Sequence, residues 1–277
     1  MMRAIFNVAV PFLMLVACDK DNRIQEEDYP GRDPSAVTAD GQLYNMSFDQ
    51  WSKDGKYYEC YGSGASGEQR KVWGSANSST EKLGKKTCVP ESDFLAVYGE
   101  EKHAVMLKTQ IVSVLFIKKL AAGSIFTGQM GDINLTSLSA TLKWGIPFTL
   151  RPKTLEGYAC YKPVNIDVVK HPYEDKKGTL DNGHVMVLLT DWDGRFTVDP
   201  GDNKFVDIDN DENIIGYGKF TFDHTMDDYE KFTIDIDYRN DRTPRYVVIV
   251  ASSSALGDYF TGGNGSTLYI DEFKFTY

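Results

Sequence analysis

Four cysteines and four histidines are all that the 277 residues hold of the softer metal ligands, and neither set has a metal-site spacing. Cys60, Cys88 and Cys160 form no CxxC pair, and His103, His171, His184 and His224 form no HExxH. No serine stands in a GxSxG elbow, so zinc and serine hydrolysis find no support. An excess of basic residues is also missing. With 30 Lys and Arg against 40 Asp and Glu the net charge is −10, which argues against a nucleic-acid partner. The one strongly apolar run, residues 4–16, is shorter than the roughly 20 residues needed to cross a bilayer. Few segments keep a helical period, and no internal repeat is visible.

What stands at the N-terminus has the layout of a secretory signal, with Arg3, the apolar run and then LVAC at 15–18. That ending resembles a bacterial lipobox, which implies cleavage after residue 17, lipidation of Cys18 and residence on the outer membrane at the cell surface. Several acyl chains hold a protein firmly to a membrane, because each buried methylene adds about 0.8 kcal/mol. Residues 18–42 are acidic and poor in apolar side chains, and read as a flexible tether. Residues 43–277 are long enough for one all-β domain. An exported compartment permits disulfides, and sequence distance favours Cys60 with Cys88, leaving Cys160 as a buried thiol.

KFTIDIDY at 231–238 alternates strictly, as a half-buried strand does. Residues 104–108, 164–169, 185–189, 219–222 and 246–250 are further short β-rich runs. In 111–122 the β-branched residues favour strand over helix. The pattern is that of an antiparallel two-sheet sandwich. Near the C-terminus the apolar parity shifts from Leu268 and Ile270 to Phe273, Phe275 and Tyr277, which predicts a bulge at Asp271 and Glu272. Two carboxylates at such a bulge, with Asp49 as a third, suggest a cation site.

Some motifs fail their context. Gly62, Gly64 and Gly67 spell GxGxxG, but no helix pattern follows, so a flexible loop is the reading. Asp207, Asp209 and Asp211 begin like an EF-hand loop, yet Glu212 stands at its glycine and Gly218 at its final glutamate. Among aromatics that could stack on a sugar face, Trp192 in the acid-flanked DWDG is expected to be the best exposed. Trp51, Trp73 and Tyr259 are the other candidates, and Trp144 is expected in the core. Glycoside hydrolysis needs two carboxylates, and Glu156, Asp191 and Glu230 cannot be ranked for it.

ASSSALGDYFTGGNGSTLYIDEF (251–273) carries a likeness, together with WGSAN (73–77), GSIFTG (123–128), WGIPFTLRP (144–152), LEGYACYKP (155–163) and NIIGYG (213–218). In this order they resemble the putative carbohydrate metabolism domain family of exported bacterial lipoproteins. The resemblance implies a jelly roll similar to carbohydrate-binding modules, with no catalytic residue to carry over. It also implies calcium held by Asp49, Asp271 and Glu272, matched loosely. Related proteins often carry an immunoglobulin-like domain in front, for which the tether here is too short. The expected function is non-catalytic capture of a polysaccharide or oligosaccharide. A two-carboxylate glycoside hydrolase or lyase is the second reading, and a structural subunit with protein partners in the envelope is the third.

Overall fold

The computed structural model describes residues 36–277, apart from 55, 56, 115 and 135–137. The signal segment, Cys18 and the tether up to residue 35 lie outside the described residues. Gly31–Tyr277 form one compact unit.

Its strands in chain order are β1 (Ser52–Asp54), β2 (Tyr57–Glu59), β3 (Trp73–Ser75), β4 (Cys88–Glu91), β5 (Ala104–Lys108), β6 (Gln110–Val114), β7 (Ile117–Ala121), β8 (Ser124–Asn134) and β9 (Ser139–Trp144). They continue with β10 (Ile146–Pro147), β11 (Thr154–Lys162), β12 (Gly183–Thr190), β13 (Phe196–Val198), β14 (Ile214–Phe222), β15 (Glu230–Asp235), β16 (Asp237–Tyr238), β17 (Tyr246–Ser252) and β18 (Thr267–Thr276). A nine-stranded sheet runs β13-β9-β8-β17-β12-β14-β16, with β3 against β8 and β10 against β17. A five-stranded sheet runs β15-β11-β18-β5-β4. Every ladder is antiparallel, and the two sheets make a jelly-roll β-sandwich.

Alternation explains the sandwich. Val185, Val187 and Leu189 of β12 and Val247, Ile249 and Ala251 of β17 face inward, against Leu155 and Ala159 of β11 and Leu268 and Ile270 of β18. Gly157 makes room there, since a Cβ would lie 2.6 Å from the Phe273 ring. The KFTIDIDY run leaves one sheet for the other: β15 pairs with β11, while β16 pairs with β14. Phe232, Ile234 and Ile236 stay buried through that corner, which is why the alternation is unbroken in sequence. The predicted bulge is present, with Glu272 at φ +49° and the β11–β18 register shifting beside it.

Residues 111–122 form the β6–β7 hairpin, as their β-branching indicates. By contrast, 164–169 is no strand. It makes only isolated bridges, Asn165 to Leu180 and Val168 to Gly262. Residues 36–42, expected to belong to the tether, are packed on the domain. Ala36 and Val37 are buried, and the Gln42 side chain bonds both N–H and C=O of Phe275, closing the last strand. The Cys60–Cys88 disulfide is not formed, and Cys60, Cys88 and Cys160 are free, buried thiols whose pKa values burial pushes up. Asn45 Nδ2 donates to Cys60 Sγ at 3.2 Å, and Asn77 Nδ2 donates to the backbone carbonyl of Cys88 at 2.5 Å.

Candidate functional site

The outer face of the larger sheet carries a second apolar cluster, in which Phe126, Trp144, Met186, Leu188, Trp192 and Val250 are all buried. At one end it gives way to a polar row, Ser124, Ser252 and His184, paired across β8, β17 and β12. The loop after β17 folds back here, and a buried carboxylate fixes it. Asp181 Oδ2 accepts from Ser254 Oγ at 2.6 Å, Gly263 N–H at 2.8 Å and Ser266 Oγ at 2.9 Å. Burial raises the Asp181 pKa, and these donors oppose the rise. Thr109 Oγ1 joins Ser253 and Ser254 in the same network. The serines of the closing motif therefore hold a loop in place, and that loop presents Asp258, Tyr259 and Phe260.

Three clefts open near these elements. The first, about 120 Å³, is mainly apolar: Leu83, Val112, Leu120, Met130, Leu142 and Phe260 help to line it, Ser79, Thr80, Ser124, Asn134 and Ser139 add polar groups, and among the described residues Asp258 is its one carboxylate. Among the described residues no group donates a hydrogen bond to the Asp258 carboxylate, and burial raises its pKa to about 6. Next to it, a void of about 10 Å³ lies between Asp258, His184 and Trp144, the size of a single water. Trp144 Nε1 and His184 Nδ1 are both buried without a protein partner beside that void. Burial lowers the His184 pKa to about 3, so the ring is neutral at physiological pH.

A second cleft, about 310 Å³, has the opposite character. Tyr57, Tyr61, Glu59, Arg70 and Gln129 line it over Trp73 and the β3 backbone. The Arg70 guanidinium lies 5.1 Å from the Tyr61 ring centre, and Arg195 Nη1 donates to Gln129 Oε1 at 2.7 Å. Arg70 is placed by the 62–67 loop, through Nε to the Ala65 carbonyl at 3.0 Å. The GxGxxG stretch thus frames a cleft and opens no long helix; only the three-residue 3-10 turn Gln69–Lys71 follows it. Met130 lines both clefts, and each also takes residues of the 75–80 segment, Ala76, Ser79 and Thr80 in the first and Ser75 and Ser78 in the second.

The third, an open trough of about 610 Å³, lies at the bulge and includes Tyr44, Glu156, Tyr158, Lys231 and Glu272. Lys231 Nζ sits 2.8 Å from Glu156, and Lys102 Nζ sits 2.9 Å from Glu272 and 2.8 Å from Asp49. The expected calcium site is therefore not assembled. An ammonium already bridges Asp49 and Glu272, and Asp49 Oδ1 accepts the His103 N–H at 3.1 Å. Asp271, one residue before the bulge, accepts the Ala96 N–H at 3.1 Å; burial raises its pKa to about 6. Among the described residues no group of three or more His, Cys, Asp or Glu is placed to hold a metal.

The predicted sugar platforms separate in the same way. Trp192 is not exposed. At 7% exposure it stacks 5.1 Å from Phe196, and its Nε1 donates to Asp211 Oδ2 at 2.8 Å. The acidic turn read from Asp207, Asp209 and Asp211 supplies that acceptor. Trp73, 2% exposed, packs on Phe48 and Phe273 and forms the floor of the tyrosine cleft. Trp51 is half-buried edge-on to Tyr58, with Nε1 donating to the Phe48 carbonyl. Tyr259 is half-buried in a stack with Phe205 at 4.5 Å and Tyr173 at 5.0 Å. Of the unranked acids, Glu156 lines the trough, Asp191 is bound by Arg242 and Glu230 is exposed. Tyr57, Tyr61 and Asp258 were not legible as site residues. Each sits among ordinary loop or strand residues, and only pairing across the fold gives it a cleft.

Antiparallel order, two faced sheets and clefts on the outer face and edge define a β-sandwich of the carbohydrate-associated kind. The putative carbohydrate metabolism domain (PCMD) model matches residues 47–276, and the chain belongs to that family. Two solved structures share the fold. A putative glycoside hydrolase from Bacteroides thetaiotaomicron is 23% identical with a TM-score of 0.59, covering 83% of this chain and 70% of its own. Another, from Bacteroides vulgatus, is 20% identical with a TM-score of 0.55, covering 82% of this chain and 94% of its own. At these identities the likeness is one of fold. No curated protein matches the chain.

Proposed function

We propose that the protein is a lipid-anchored surface protein of the outer membrane that binds glycans without cleaving them. One observation carries this reading: the 310 Å³ cleft combines two tyrosine rings with Glu59, Arg70 and Gln129, and among the described residues Glu59 is its one lining carboxylate. Sugar rings pair apolar C–H faces with hydroxyls, and a cleft of that size offers rings for the faces and planar polar groups for the hydroxyls. Hydrolysis would need a second carboxylate at roughly 5–10 Å, one of the pair protonated. The lipobox-like LVAC, with Cys18 as the lipidated residue, supports the anchor.

Hydrolysis is the second reading. Two fold relatives bear the name glycoside hydrolase, and Glu156 and Glu272 line one trough here. Each of those glutamates is already engaged by a lysine, Glu156 by Lys231 and Glu272 by Lys102. A polysaccharide array run beside a reducing-sugar assay separates the two. Binding lost with Tyr61→Ala and no sugar release supports capture. Release that disappears with Glu156→Gln or Glu272→Gln, and persists in Tyr61→Ala, overturns it.

A further inference from the structure

Two ammonium groups converge on one ring in the loop that Asp181 anchors. Lys119 Nζ lies 4.1 Å and Lys170 Nζ 5.0 Å from the centre of the Phe260 ring, so the two charges are at most about 9 Å apart. They come from separate elements. Lys119 is on β7, whose Leu120 packs against the loop at Gly262, where an added Cβ would lie 2.9 Å from it. Lys170 belongs to the segment that bridges Val168 to Gly262, and its own N–H donates to Thr261 Oγ1 at 2.9 Å. Phe260 is held at φ +53°, a left-handed conformation that large side chains seldom take. Three backbone segments thus fix the place where the lysines meet.

Neither lysine has an acidic partner there. Among the described residues no Asp or Glu forms an ion pair with Lys119 or Lys170, whereas Lys102 and Lys231 each hold a carboxylate. The acids near Lys170 in the chain are directed elsewhere: Asp167 accepts the Asn264 N–H, and Glu174 and Asp175 pair with His171 and Lys176. Lys119 is half-buried, and burial and the neighbouring Lys170 charge lower its pKa. A like-charged pair short of water and of counter-charge is a place for an anion. Aromatic faces adjoin it. Tyr259, next to Phe260 in the chain, stacks with Phe205 and with Tyr173, three residues after Lys170. An occupant that matches both features carries a negative group on a ring with apolar C–H faces.

We propose that Lys119, Lys170 and Phe260 form a site for the anionic substituent of an acidic glycan, a carboxylate or a sulfate ester. This rests on the glycan-binding reading above and names the class of sugar. Each ammonium donates a charge-assisted hydrogen bond to an oxygen of the anion. On a chain of net charge −10, attraction to a polyanion has to come from a local cluster of this kind.

The test adds two matched pairs to the polysaccharide array and to calorimetry: polygalacturonate with its methyl ester, and dextran sulfate with dextran. The charged member should bind about ten-fold more tightly than its neutral partner, and added salt should erase the difference. The pair that shows it tells carboxylate from sulfate. Lys119→Gln with Lys170→Gln should remove the preference, and so should Lys170→Gln alone in large part, at an exposed position where folding is not at stake. Lys119→Arg with Lys170→Arg should keep it. Charged members that bind no better than neutral ones, or a preference that survives the glutamine variants, overturn the acidic assignment while glycan capture stands. Lysine-dependent binding to phosphatidylglycerol vesicles, with none to acidic glycans, assigns the pair to a lipid surface and overturns it as well. Binding to nothing on the array overturns both readings.

Discussion

Two clefts have Met130 in their walls and differ in nearly every physical respect. The tyrosine cleft is broad and polar, framed by short strands and the 62–71 loop. The Asp258 cleft is small and mainly apolar, walled by a loop that a buried carboxylate holds down. The contrast teaches how one sandwich can present two kinds of recess. The sheet edge offers rings and planar polar groups, and the outer sheet face offers a mainly apolar recess. Polar groups spent on structure also differ from those left open. Asp181 accepts from two serines and the Gly263 N–H, while Asp258, in the loop it anchors, has no donor among the described residues.

The largest expected effect comes from removing that anchor. Asp181→Ala leaves two serine hydroxyls and the Gly263 N–H without their acceptor, and should cost about 3 kcal/mol or more in urea unfolding. It should also weaken binding of acidic glycans, because the freed loop carries Phe260, whereas binding that is unchanged would show the lysine pair to be independent of the loop. Next in size, Tyr61→Ala should weaken glycan binding about ten-fold by calorimetry with the melting temperature nearly kept, since the ring is half-buried at an edge. A trough outside both clefts supplies the control. Lys102→Met breaks two ion pairs that are partly exposed, so a loss of about 1 kcal/mol is expected, with no change in glycan affinity. Chelator should leave the wild-type melting temperature unmoved. A drop on chelation would restore a metal to Asp49 and Glu272.

The smallest effect tests Asp258 by pH. Its folded pKa is raised to about 6 by burial, so the folded state holds the proton more tightly than the unfolded chain. The stability tied to that proton is fully present below the ordinary carboxylate pKa, about 4, and is lost as pH rises through about 6. Asp258→Asn should therefore melt slightly higher than wild type at pH 7.5, by under about 1 kcal/mol for so partly exposed a group, and match it at pH 4. A difference independent of pH would place the carboxylate in water.

Much of the fold was legible because strand signals are written locally. Alternation in 231–238, β-rich composition in 246–250 and β-branching in 111–122 mark the segments that form β15 and β16, β17 and the β6–β7 hairpin. The bulge was legible too, since a one-residue slip moves every later side chain to the other face. Residues 164–169 misled for the same reason: a β-rich run becomes a strand only if a neighbour offers it a ladder, and here loops offer single bridges. The sites were less legible. Trp192 lies between acids in sequence, yet Asp211 turns inward to accept its N–H, and the ring goes with it. Asp49 and Glu272 do come close, as the bulge suggested, but Lys102 arrives from a distant loop to take the cation's place.

By itself, then, the sequence determined the all-β class, the strand parity, the bulge and the family, each a matter of neighbouring residues or of motifs in order. Tertiary structure alone decided which aromatic rings are open, which carboxylates are satisfied and where a cleft exists. Those depend on groups brought together from far along the chain, and on how much water is left around them.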